Sequence, residues 1–329
     1  MSLLQSFSEI RNLLKNVDIK AIQKLSRKVD LNAVMSAVSS MSDEDLARMM
    51  KMLQGGGGRK KPKPPVNGDF YELGSTLVGE DLEILERVRA FMETEIRPIA
   101  NDYWKRAEFP MEIIPKMAAL NICGLTYQGY GCAGKSALLE GFLAMEMARV
   151  DASISTFFGV HSGLAMGSIY LCGSEEQKQQ WLPPMQRMEI IGAFGLTEPE
   201  VGSAVAGGLT TTCKREGDEW VLNGQKKWIG NATFSDITII WARDLDDNQV
   251  KGFIVRRENE GFKADKLEDK MALRTVQNAL ITLTNCRVPE ADRLQNGNSF
   301  KDTANVLRMT RAGVAWQAVG CARGAYEAA

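Results

Sequence analysis

The strongest constraint in this sequence is a change of hydrophobic period near residue 191 and its reversal near residue 290. Before the change, apolar residues recur at helical spacing. Leu82, Leu85, Val88, Phe91 and Met92 predict one helix, closed by Pro98. Ile113, Met117 and Leu120 predict another, and Leu138–Val150 is apolar nearly all round, as in a buried helix. Ser174 with Gln177 reads as a capping box opening a further helix. Then come short β-rich runs: IIGAFGLT, EWVLNGQKKWIG, DITIIWARD, KGFIVRR and ALITLTNCRV. No helical pattern separates them, so the sheet is expected to be mostly antiparallel. Asn223-Gly224 predicts a hairpin turn. After Pro289 the helical pattern returns, and Ala304–Ala329, rich in Ala, Val and Gly, reads as buried. That helix has no following element to cover its apolar face, so the chain is expected to be C-terminally truncated.

Residues 1–54 form a separate block. Leu3, Phe7, Ile10, Leu14 and Val17 have helical spacing, and Ser42 with Asp43, Glu44 and Asp45 reads as a capped helix start. The acidic residues argue against a targeting peptide, and the block is expected to be a helical packing or interaction segment. GGGGRKKPKPP at 55–65 is a solvated linker. The expected organisation is a helical extension (1–54), a linker (55–79), a helical domain (80–190), a β-domain (191–295) and the first part of a second helical domain (296–329).

Composition removes several classes of function. With 40 basic and 41 acidic residues, the net charge of −1 does not suit a broad nucleic-acid binder. No apolar run reaches the length of a membrane span. Six scattered cysteines without a C-x-x-C pair make neither a disulfide framework nor a zinc site. The only histidine, His161, rules out a multi-histidine metal site and reads as structural. Gly129–Ser136 matches G-x-x-x-x-G-K-[ST], yet a phosphate loop needs a strand before it and crossover helices after it. Both signals are weak here, and a glycine-rich loop between two helices is the expectation.

Two segments carry the chemistry. Ala193, Phe194, Gly195, Leu196, Thr197, Glu198, Pro199 and on to Gly202-Ser203 read as a strand running into a turn with free amides and hydroxyls. Asn223–Asn231 reads as a hairpin carrying Trp228 at its rim. Together with ARVDAS, GSEEQKQQWLPPM, KGFIVRR and VPEADRL, in this order, the motifs GLTEP and NGQKKWIGN resemble the acyl-CoA dehydrogenase/acyl-CoA oxidase flavoprotein family. The resemblance runs from about residue 80 to the end, with the closest look to plant-type short-chain oxidases and glutaryl-CoA dehydrogenases.

This resemblance implies an α+β fold: an N-terminal helical domain, a central antiparallel β-barrel or sandwich domain, and the start of a C-terminal helical bundle. It implies FAD, held by Ala193, Phe194, Gly195, Leu196, Thr197, Gly202, Trp228, Ile229 and Gly230, with Thr197 on the flavin edge and Trp228 stacked on the ring. Ser155, Thr156, Ser203, Arg308, Met309, Thr310 and Arg311 would meet the acyl-CoA. The implied reaction is α,β-dehydrogenation of an acyl-CoA, with electron-transfer flavoprotein or O₂ as acceptor. A homodimer or homotetramer, in the mitochondrial matrix or peroxisome, would be the working form. The chain departs from the family in three places. The family's glutamate base falls beyond residue 329, and its alternative position is Thr310, so no catalytic base is expected within the chain, which alone should be inactive. Ala204 replaces an aspartate after Gly202-Ser203. Ser155 stands where glutaryl-specific members carry an arginine, which favours a short unsubstituted acyl group. A non-catalytic interaction protein built on the same shell is the alternative.

Overall fold

The computed structural model describes Ser42, residues 68–69 and residues 71–329. The expected helical extension and most of the linker lie outside the described residues. The described residues from 68 onward form one compact unit, in which helices pack against one curled sheet.

The helical layer begins with α1 (Glu80–Phe91), whose first turn carries Glu80, Asp81 and Glu83, charges that suit a helix N-terminus. Pro98 does not close this helix. A π-turn (Met92–Ile96) leads into α2 (Arg97–Arg106), and Pro98 sits in the first turn of α2, where no N–H is needed. Then follow α3 (Ile113–Ala118) and α4 (Ala137–Val150), the latter capped by Ser136. α5 (Ala152–Phe158), capped by Asp151, runs through a π-turn (Gly159–Ala165) into α6 (Met166–Cys172). α7 (Glu175–Gln186) opens on the Ser174/Gln177 capping box.

Gly129–Ser136 forms turns between α3 and α4, with positive φ at Gly129, Tyr130, Gly131 and Gly134. Among the described residues no strand precedes it. Lys135 is held by Glu80 at 2.6 Å and Asp81 at 3.4 Å, and Ser136 is spent on capping α4. This is a connecting loop, not a phosphate cradle.

The sheet has seven strands: β1 (Gly192–Gly195), β2 (Thr212–Glu216), β3 (Glu219–Gly230), β4 (Ile237–Asp244), β5 (Val250–Arg256), β6 (Phe262–Lys266) and β7 (Asn278–Pro289). The pairs β2–β3, β3–β7, β4–β5 and β6–β7 are antiparallel, as expected. β1 and β2 both pair with β4 in parallel, which makes the sheet mixed. They lie along the same edge of β4: β1 opposite Ile237–Ile240, β2 opposite Arg243 and Asp244. The chain therefore leaves that edge after Gly195 and rejoins it at Thr212.

β4 is buried on both faces, which explains its continuous apolar run. Ile237, Ile239 and Trp241 join the core shared with the helices, whereas Ile240 and Ala242 face the inside of the curled sheet. The hairpin expected at Asn223-Gly224 is not there. Both residues lie within β3, at a register shift between Leu222 and Gly224. A Cβ on Gly224 would collide with the Thr211 backbone, so this glycine marks a bulge and a close approach. The turn joining β2 and β3 is instead at Gly217 and Asp218.

The chain closes with α8 (Phe300–Ala328), four residues longer at its start than the apolar pattern suggests. It is not a buried helix: only Thr303, Val306 and Gly320 are buried, and Val314 and Val319 are exposed. One face packs on α4. Gly141 receives the Trp316 ring, and Gly320 and Gly324 lie directly on the carbonyls of Met145 and Arg149.

Candidate active site

The two motif segments meet in space. The Lys227 N–H donates to the Thr197 carbonyl at 2.8 Å, which places the turn after β1 beside the rim of β3. Beneath this junction lies a buried ion pair. Lys226 Nζ donates to Glu198 Oε1 at 2.9 Å and to the Leu196 carbonyl at 3.2 Å. Glu198 also accepts from the Thr210 N–H and hydroxyl, both at 2.7 Å, and from the Thr211 N–H at 2.9 Å. Burial pushes the Glu198 carboxyl up, but Lys226 and Thr210 outweigh it and hold it at about 2. Burial pulls Lys226 down to about 8 despite Glu198. The carboxylate thus clamps both ends of the 196–211 loop, a role not seen in the sequence.

Trp228 is the backbone exception at this rim. It has φ 64°, falls at the register shift between Lys226 and Ile229, and leaves 55% of its surface open. A left-handed tryptophan exposed at a bulge is a strained placement of the kind that clusters at ligand sites. Asn278 fixes it by donating to its carbonyl at 3.0 Å. Thr197 is partly exposed, and its hydroxyl has no hydrogen bond among the described residues. Gly202 and Ser203 are exposed on the same loop. Ala193, Phe194, Gly195, Leu196, Ile229 and Gly230 are buried, so beside a ligand they offer backbone or packing only. An open indole plane next to a free hydroxyl fits a flat, polar-edged cofactor such as a flavin.

Next to this rim is a cavity of about 160 Å³. Gly230 approaches the cavity-lining Val160 closely enough that a Cβ would touch it. Of the residues expected to meet substrate, Ser155, Thr156, Met309 and Thr310 line this cavity together. Arg308 lines a separate cleft with Leu171 and Asn305, and Arg311 is exposed. The remaining lining is mainly apolar (Ile122, Leu125, Leu143, Phe158, Leu164, Val314), with one carboxylate, Glu140. Sequence reasoning missed Glu140, although one acidic residue in the apolar run LLEGFLAM was a usable signal.

Two other groups are engaged in structure. His161 is fully buried; its Nδ1 accepts from the Gly192 N–H at 3.1 Å, so Nε2–H donates to the Met185 carbonyl at 2.9 Å. Burial drives its pKa down to about 4. Glu327 pairs with Arg149 at 2.7 Å and Arg323 at 2.8 Å. Among the described residues no cluster of His, Cys, Asp and Glu could hold a metal ion, and no helix is long and apolar enough to cross a membrane.

A helical layer, a curled sheet bearing an exposed aromatic rim, and an apolar cavity between that layer and α8 define an acyl-CoA dehydrogenase shell, and the chain belongs to that family. Residues 79–189 match the acyl-CoA dehydrogenase N-terminal domain and residues 193–286 its middle domain. The chain is 36% identical over 251 residues to the short-chain specific acyl-CoA dehydrogenase of human mitochondria, covering 75% of this chain and 61% of that protein. It is 32% identical over 258 residues to the short-chain specific acyl-CoA dehydrogenase of Clostridium acetobutylicum, covering 77% and 68%. Among solved structures it is similar to a glutaryl-CoA dehydrogenase from Mycobacterium smegmatis in complex with FADH2, with TM-score 0.75, 35% identity, and 78% and 66% coverage. The chain spans about three fifths of the length of the mammalian relatives.

Proposed function

We propose that this protein takes part in the FAD-dependent α,β-dehydrogenation of a short-chain acyl-CoA thioester. The observation that carries the reading is the adjacency of the Thr197–Trp228 rim to an apolar cavity of about 160 Å³. An apolar protein cavity of about 150 Å³ holds one benzene molecule, so this one suits an acyl tail of about four to six carbons. FAD bound at the rim would supply the acceptor for the hydride. Trp228 would stack on its ring and the Thr197 hydroxyl would bond its edge. Ala193, Phe194, Gly195, Leu196, Gly202, Ile229 and Gly230 would shape the floor and backbone of that site.

Ser155, Thr156, Met309 and Thr310 would enclose the acyl group, and Ser203, Arg308 and Arg311 would serve the CoA portion, the arginines through its phosphates. Thr310 is no base, so these residues would bind and orient the substrate rather than remove the α-proton. With these residues around the acyl group, flavin and acyl-CoA are expected to be held without turnover. Electron-transfer flavoprotein or O₂ would reoxidise the flavin, in a homodimeric or homotetrameric enzyme. The mitochondrial relatives favour a mitochondrial matrix setting over a peroxisomal one. The test is an absorbance spectrum of the purified chain before and after adding butyryl-CoA without oxygen. Flavin bands that shift without bleaching are the expected result. A purified chain that neither carries nor takes up FAD would overturn the reading and favour a non-catalytic scaffold.

A further inference from the structure

Among the described residues Glu140 is the one carboxylate in the cavity wall, and its surroundings make it conspicuous. It projects from the first turn of α4, is partly buried, and makes no hydrogen bond or ion pair among the described residues. Its helix-mate Glu146 is engaged by Arg89 and Arg149. Every other polar side chain around Glu140 in the cavity is occupied by the protein backbone. The Tyr127 hydroxyl donates to the Ser162 carbonyl at 2.8 Å, Ser155 to the Ala144 carbonyl at 3.1 Å and Thr156 to the Ala152 carbonyl at 2.8 Å. From α8, Thr310 donates to the Leu307 carbonyl at 3.1 Å and Gln317 to the Ser155 carbonyl at 3.3 Å. Among the described residues no cation lines the cavity. Burial pushes the carboxyl up, which fits a group left without a partner.

A partly buried carboxyl with no protein partner is a cost unless a ligand satisfies it. We infer that Glu140 selects acyl tails ending in a hydroxyl group, through a hydrogen bond inside the cavity, and excludes tails ending in a carboxylate. The inference rests on the acyl-CoA reading of the site and sharpens it. A hydroxyl both donates and accepts, so it pairs with the carboxyl in either protonation state. A methyl terminus leaves the carboxyl unpaired. A carboxylate terminus meets like charge, with Ser155 in the cavity wall supplying no compensating cation. The expectation of an unsubstituted tail thereby gives way to a tail with one hydrogen-bonding terminus.

The test is isothermal titration of the full chain, purified with FAD present, with three five-carbon probes: pentanoyl-CoA, 5-hydroxypentanoyl-CoA and glutaryl-CoA. The expected order of affinity is hydroxypentanoyl over pentanoyl by about tenfold, the weight of one hydrogen bond to a charged or partly buried group, with glutaryl weakest. Glu140→Leu should reverse the first pair, and Glu140→Gln should keep the hydroxyl preference while relieving the exclusion of glutaryl-CoA. Equal binding of pentanoyl and hydroxypentanoyl probes by the wild type, or a ratio unmoved in both variants, would overturn the inference and leave the acyl-CoA reading standing. No binding of any probe would remove the acyl-CoA reading itself. Flavin bleached by pentanoyl-CoA in the wild type but not in Glu140→Gln, with affinities unchanged, would also overturn it, by making Glu140 the proton-abstracting base.

Discussion

At the scale of single residues, the Glu198–Lys226 pair sets how firmly the 196–211 loop is held. Both side chains are out of solvent, so removing one charge strands the other. Glu198→Gln should destabilise the protein by about 3 kcal/mol in urea unfolding, the range for breaking a buried pair. The double variant Glu198→Gln/Lys226→Met should recover part of that loss, because it removes both charges together. Trp228 invites a different expectation, since its ring is exposed and supports little core. Trp228→Ala should leave the melting temperature within a few degrees of wild type while weakening FAD retention at least tenfold, measured by flavin fluorescence after dialysis. The motif that named Trp228 was readable because its neighbours follow in sequence. The pair beneath it was not, because Glu198 and Lys226 are brought together only when β1 and β3 meet.

At the scale of elements, local signals survived and long-range ones did not. The Ser174/Gln177 capping box needs only four consecutive residues, and it formed as expected. Asn223-Gly224 has the right residues for a hairpin, but Gly224 is there to let the Thr211 backbone pass, a requirement set by a strand edge outside β3. Pro98 likewise reads as a helix stop until the π-turn before it is seen to place it in a first helical turn. The α4–α8 contact shows the same dependence. Gly320 looks like a weak point in a helix, yet it is where α8 rests on the Met145 carbonyl. Gly320→Val should force the helices apart at a cost of about 1–3 kcal/mol, seen as a lower melting temperature. Because α4 and α8 both line the cavity, the same variant should weaken acyl-CoA binding in titration.

At the scale of the whole molecule, acid stability is written in groups whose pKa values are displaced downward. His161 is neutral in the fold down to about pH 4, whereas in the unfolded chain it gains a proton near 6.5. The unfolded state then binds more protons across that window, so stability falls as pH drops from 6.5 to 4, by about 3 kcal/mol at most. Glu198 and Glu93, both held at about 2, add further losses as pH falls from 4.5 to 2. Glu93 contributes less because water screens its contacts with Arg97 and Arg149. A series of thermal melts from pH 8 to 3 should show a decline beginning near 6.5, and His161→Gln should flatten the segment between 6.5 and 4.

The shared edge of β4 has a further consequence. The residues opposite the two ends of the 196–211 loop, Ile240 and Arg243, are three positions apart on one strand, a fixed gate of roughly 10 Å. Whatever the intervening sequence does, its exit and its return are anchored to the same rigid post. Such a segment behaves as a cassette: it can lengthen, shorten or be transplanted between relatives without asking the sheet to re-register. The surface proposed to meet the cofactor can thus diverge at a pace of its own, while the strand that carries it stays still.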